Sequence, residues 1–136
     1  MWLISECMRQ EAAASLKNDV ILVDRPVCDA LCYLRAALQL SGRRIPPRRI
    51  EALSSIVEAH TPDYDILIAT ELDGNIPLGP GRDTDDELRQ LAAENIRALI
   101  SKIAPAASTM SYANRNDILV RTLDETSRIL RNAFSE

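Results

Sequence analysis

The residues best placed to do chemistry are Asp24 and Arg25, an acid followed by a base, set where the apolar run Val20, Ile21, Leu22, Val23 meets the proline-led segment that follows. A strand feeding a helix in this way sends its last residues into the crevice beyond the carboxyl ends of an open α/β sheet, where ligands bind. There the pair either faces a ligand or closes a strand-end ion pair that holds the turn. Asp29 and Tyr33 follow, four apart and so on one face of the next helix, able to bond a substrate or to pack. No Gly-x-x-x-x-Gly-Lys-Ser/Thr loop, whose amides and lysine hold nucleotide phosphates, occurs anywhere in the chain.

Other chemistry-bearing residues point to blander roles. Cys28 and Cys32 share a helix face, but with Cys7 elsewhere and His60 the only histidine they fall short of a zinc set and are expected as buried, reduced thiols. Arg43, Arg44, Arg48 and Arg49 surround a Pro-Pro turn as a solvated basic surface. Asp83, Asp85, Asp86 and Glu87 suit a helix start, where the macrodipole favours acids. His60 is expected to act at a helix carboxyl end, and Trp2 to lie in the core.

These residues need a scaffold, and its order is legible from periodicity. A helix over 2–16 is expected, with Trp2, Leu3, Cys7, Met8, Ala12 and Leu16 at helical spacing and no capping residue before it. A strand over 20–23 is of the continuous apolar type buried on both faces of a parallel sheet. Pro26 opens a helix over 27–40 that Gly42 closes, and another helix spans 47–60. A second strand over 65–70 leads through a Gly/Pro-rich loop over 73–81 to a long helix capped by Asp83 or Thr84, with apolar positions from Leu88 to Ile103. A linker over 104–116, a strand over 117–120 and a helix over 123–134 complete an α/β alternation with a parallel sheet flanked by helices.

The 136 residues, 46% of them hydrophobic, make one domain over 1–136. A net charge of −4 gives no reason to expect nucleic acid or an anionic membrane as partner. No apolar stretch approaches the roughly 18 residues of a membrane span, and the start lacks signal-peptide order, so a cytoplasmic location is expected.

Residues 20–29 (Val-Ile-Leu-Val-Asp-Arg-Pro-Val-Cys-Asp), with Tyr33 a turn later, resemble the Asp-Arg motif of P-loop nucleoside and nucleotide kinases. The resemblance is greatest to the AAA-like ATPase group that includes the NadR-type ribosylnicotinamide kinase domain. Residues 77–89 (Pro-Leu-Gly-Pro-Gly-Arg-Asp-Thr-Asp-Asp-Glu-Leu-Arg) are similar to that group's segment after its fourth strand. The resemblance implies a P-loop NTPase fold and ATP-dependent phosphoryl transfer to a nucleoside- or nucleotide-like small molecule, with ATP and Mg²⁺ as cofactors. It implies that Asp24 orients Mg²⁺ or takes a proton from the acceptor, and that Arg25 binds phosphate or acceptor. Arg82 and Arg89 would be lid arginines that offset transition-state charge, and Asp29 and Tyr33 would lie on the substrate side.

Relative to that family the sequence lacks the first strand, the phosphate loop and its helix, so an N-terminally truncated, partial domain without kinase activity is expected. The family strand order 2-3-1-4-5 would leave a gap between the strands expected over 20–23 and 65–70. Either those two strands move together, or a second copy in a homo-oligomer or a partner chain inserts a strand to complete the sheet, or the chain is a fragment that starts at an internal methionine. The alternative expectation is a non-catalytic α/β interaction protein acting through such association.

Overall fold

The computed structural model describes residues 2–74, 76, 79 and 85–135. Five helices are present among them: α1 (Trp2–Ser15), α2 (Val27–Ser41), α3 (Pro47–His60), α4 (Asp86–Ile103) and α5 (Arg115–Ala133). A single 3₁₀ turn, Thr61–Asp63, follows α3. Two three-residue strands, β1 (Ile68–Thr70) and β2 (Ser108–Met110), pair in parallel with Ile68 opposite Ser108 and Thr70 opposite Met110. The protein is thus α/β with a parallel pair, as expected, but mostly helical, and its sheet is far smaller than the alternation suggested.

Local sequence accounts for the helix ends. Pro47 supplies the preset φ of a first helical residue in α3, and Gly42 ends α2 at φ 65°, a left-handed conformation that glycine adopts without strain. The cap of α4 is Asp85, whose carboxylate accepts from the Leu88 N–H at 2.9 Å; the expected caps Asp83 and Thr84 lie outside the described residues. Acids at Asp86 and Glu87 then fill the first turn of α4, as the dipole favours.

The core is built where α1, α2, α3 and α4 meet. Val27, Leu31, Cys32, Val57, Leu99 and Ile100 lie at its centre, and Ile4 is the one buried residue of α1. The α2–α4 pair is the most extensive helix contact. Ala36 and Ala92 are fully buried, and side chains that small let two helices approach closely. Trp2, expected in the core, is 76% exposed, because Ile4 occupies the inward position of α1 instead.

Three expected elements are corrected. Residues 20–23 form no strand: no ladder partner lies beside them among the described residues, and Val20, Ile21 and Leu22 are exposed. The supposed linker contains β2, a strand too short to show alternation and made one only by β1 beside it. The strand over 117–120 is helix, merged with the one after it into α5; a short apolar run is ambiguous between the two, and without a neighbouring strand the helical bonds prevail. Only Ile118 of α5 is buried, so the helix sits shallowly and shares its contacts mainly with β2.

Candidate functional site

The chain enters α2 through a left-handed residue. Arg25 has φ 61°, the only positive φ at a non-glycine among the described residues, and this bends the chain from the run 20–23 onto Pro26 and the helix. The turn swings the guanidinium back over the ring of Tyr33, 5.8 Å from its centroid, close enough for a cation–π contact. Asp29 stands between them in the first turn of α2, where an acid favours the helix dipole. Burial pushes its carboxyl above the usual range; Arg25 opposes that rise and Asp24 adds to it.

Asp24, Arg25, Asp29 and Tyr33 therefore converge at the amino end of α2. Arg25 enters none of the described salt bridges, although two carboxylates are near enough to act on one another through space. Its donors face solvent beside an aromatic ring, an arrangement that can take an anionic or hydroxylated ligand. Asp24 is exposed at the same lip.

The two expected lid arginines fare differently. Arg89 lies in the first turn of α4, paired with Asp86 Oδ1 at 2.8 Å, its side chain only 21% exposed. Among the described residues it makes no bond to the junction at 24–33. Arg82 lies outside the described residues.

The junction is held from behind by a network that sequence reasoning missed. Pro26 cannot cap α2 with a side chain, and the free first-turn N–H of Val27 donates instead to the Tyr64 hydroxyl, at 3.4 Å. Tyr64 in turn donates to Glu11 Oε1 at 2.9 Å, and Glu11 Oε2 lies 2.6 Å from His60 Nε2. The other ring nitrogen of His60 is 3.2 Å from Asp63 Oδ2, and the His60 and Tyr64 rings meet edge to face at 5.4 Å. Beside them, the Thr61 hydroxyl donates to the Val57 carbonyl at 2.7 Å and lies 3.4 Å from Cys28 Sγ.

Glu11 on α1 thus joins the carboxyl end of α3 to the amino end of α2. His60 does sit at a helix carboxyl end as expected, but besides the local Asp63 it meets Glu11, 49 residues away, and no local pattern announces that pair. Burial raises the Tyr64 hydroxyl well above its usual range and carries the Cys32 thiol up to about 12. Cys28 rises for the same reason, so burial favours the protonated thiol over the reactive thiolate at both α2 cysteines.

A groove of about 900 Å³ opens elsewhere, between α5 and the chain around Leu67 and Ala107, with Arg121, Arg128 and Arg131 on its wall. None of the residues singled out for chemistry lines it. Asp65, Asp124 and Glu125 balance its arginines, and its space follows from the shallow seating of α5.

No family model matches the chain, and no curated protein or solved structure does either. The local geometry at 24–33 therefore carries the functional argument alone.

Proposed function

We propose that the chain is an acceptor-binding scaffold of the nucleoside or nucleotide kinase class, with the junction at 24–33 as its small-molecule site. The supporting observation is the convergence of Asp24, Arg25, Asp29 and Tyr33, with Arg25 outside every described salt bridge. Arg25 offers a planar set of donors for a phosphate or a hydroxyl. Tyr33 offers a hydroxyl that donates or accepts, and Asp29 accepts from sugar hydroxyls or, protonated, donates to them.

Mg²⁺ takes one or two carboxylates and completes its shell with water and substrate phosphates, a demand that exposed Asp24 fits. The phosphates of ATP find no cradle in this sequence, which lacks the loop that supplies amides and lysine. Phosphoryl transfer is accordingly assigned only to an assembly in which another element brings that loop. Arg82 and Arg89 keep their lid roles by resemblance alone.

Calorimetric titration with a panel of nucleosides and nucleoside monophosphates tests the proposal. Binding that weakens at least about tenfold, or 1.4 kcal/mol, in Arg25→Ala is the expected result. Absence of binding across the panel, or binding indifferent to Arg25 and Asp29, would refute it. A second reading, an interaction protein, is favoured by the exposed apolar run at 20–22.

A further inference from the structure

Among the described residues one edge of β1 has no strand beside it, and the apolar run at 20–23 enters no ladder. The Leu67 carbonyl accepts from Ser108 N–H, and Glu71 N–H donates to the Met110 carbonyl, so these residues and Ala69 turn their peptide groups toward β2. Peptide groups of alternate residues point to opposite sides of a strand. Those of Ile68 and Thr70 therefore face away from β2, where no described strand lies. An open parallel edge of this kind is a template for another chain.

The same molecule carries a segment suited to that template and leaves it idle. Val20, Ile21, Leu22 and Val23 are apolar and largely β-branched, lie in no helix or strand, and none belongs to the core or packs on it. Leu22 is 96% exposed. Each copy of this chain carries both the edge and the run, so an exchange between two copies would be reciprocal, as a two-fold interface requires.

Surface area gives an independent argument for association. The chain exposes 9967 Å². A compact monomer of 15.1 kDa exposes about 7,100 Å², which leaves an excess of roughly 2,900 Å². Obligate dimers bury on the order of 1,000–2,500 Å² per subunit, so the excess is larger than one such interface takes up.

We propose that this chain is a subunit of a homodimer in which residues 20–23 of each copy add as a strand to the free edge of β1 in the other. Main-chain hydrogen bonds provide the pairing, and burial of the exposed Val20, Ile21 and Leu22 side chains drives it. The dimer does not rest on acceptor binding, and each is measured without the other.

The test is sedimentation of the full chain over a concentration series, with Ile21→Pro and Leu22→Pro in parallel. Successive residues point their N–H groups to opposite sides, so one of the two prolines must remove a ladder donor. Neither site carries a described hydrogen bond or core contact within the chain, so the monomer fold should survive both. The expected result is a species of twice 15.1 kDa whose dissociation constant rises at least about tenfold in one proline variant. Mixed Leu22→Cys and Thr70→Cys chains should also form a disulfide-linked heterodimer under mild oxidation. A monomer at every concentration overturns the proposal. So does a dimer indifferent to both prolines, or one dispersed only by Leu123→Glu on the exposed face of α5.

Discussion

Glu11→Ala removes the one carboxylate that both Tyr64 and His60 bond behind the junction. The side chain is 13% exposed, and its two oxygens hold the Tyr64 hydroxyl at 2.9 Å and the His60 ring at 2.6 Å. Hydrogen bonds to a charged group contribute about 1.5–3 kcal/mol each. Removing the carboxylate returns its own desolvation cost but leaves a half-buried hydroxyl and imidazole without their acceptor, so the net loss is about 2–4 kcal/mol. Ile4 is the one buried residue of α1, with Cys7 and Met8 packed beside it on the core, so the Glu11 bonds add to a small apolar contact. Urea denaturation followed by far-ultraviolet circular dichroism measures the change. For a chain of this size Tm should fall by on the order of 10 °C. Hydrogen exchange should rise first in α1 and at the Val27 amide, which loses the hydroxyl that Glu11 positions. A double-mutant cycle with His60→Ala should return a coupling of roughly 0.5–3 kcal/mol. A loss below about 1 kcal/mol, or no coupling, would refute the claim that this network holds α1 and the amino end of α2 together.

Arg25→Gly relieves the left-handed strain at φ 61°, whereas Arg25→Ala keeps it while losing the same guanidinium. The glycine variant should be more stable than the alanine variant by about 1 kcal/mol in denaturant titration, and both should lose acceptor binding. Asp29→Asn should stabilise the protein at neutral pH. Burial raises the folded-state pKa of Asp29 above that of the unfolded chain, so its ionised form costs stability. That cost is absent below the ordinary value of 3.8 and is fully present above the folded-state pKa. A Tm gain that vanishes in acid is expected, and a gain unchanged down to that pH would contradict the assignment. Leu31→Ala, at a fully buried site, should cost about 2–5 kcal/mol, whereas Leu22→Ala should change monomer stability by less than about 0.5 kcal/mol. Chemical denaturation of the two variants compares them directly.

By itself the sequence determined the helices whose boundaries rest on neighbours a few residues away. Pro47 and His60 bound α3, Gly42 ends α2, and the 3.6-residue spacing of Leu91, Ala92, Leu99, Ile100 and Ile103 marks the inner face of α4. Cys28 and Cys32 read as buried thiols because their shared helix face falls short of a zinc ligand set, and they are buried. The proximity of Asp24, Arg25, Asp29 and Tyr33 was legible for the same reason: two adjacent residues and two helical turns bring them together without help from the rest of the chain.

Tertiary structure decided everything that needs a partner distant in the chain. A strand exists only where another lies beside it, which is why Ser108–Met110 became β2 and the more apolar run at 20–23 did not. The face a helix buries is settled by what packs on it, so Ile4 went inward and Trp2 outward. The Glu11–His60 and Glu11–Tyr64 bonds close loops of 49 and 53 residues, and no composition or periodicity encodes which acid will meet which ring. Local dihedral preferences act within a turn or two; ladders, cores and buried polar networks require chain closure, and that depends on all the packing surfaces at once.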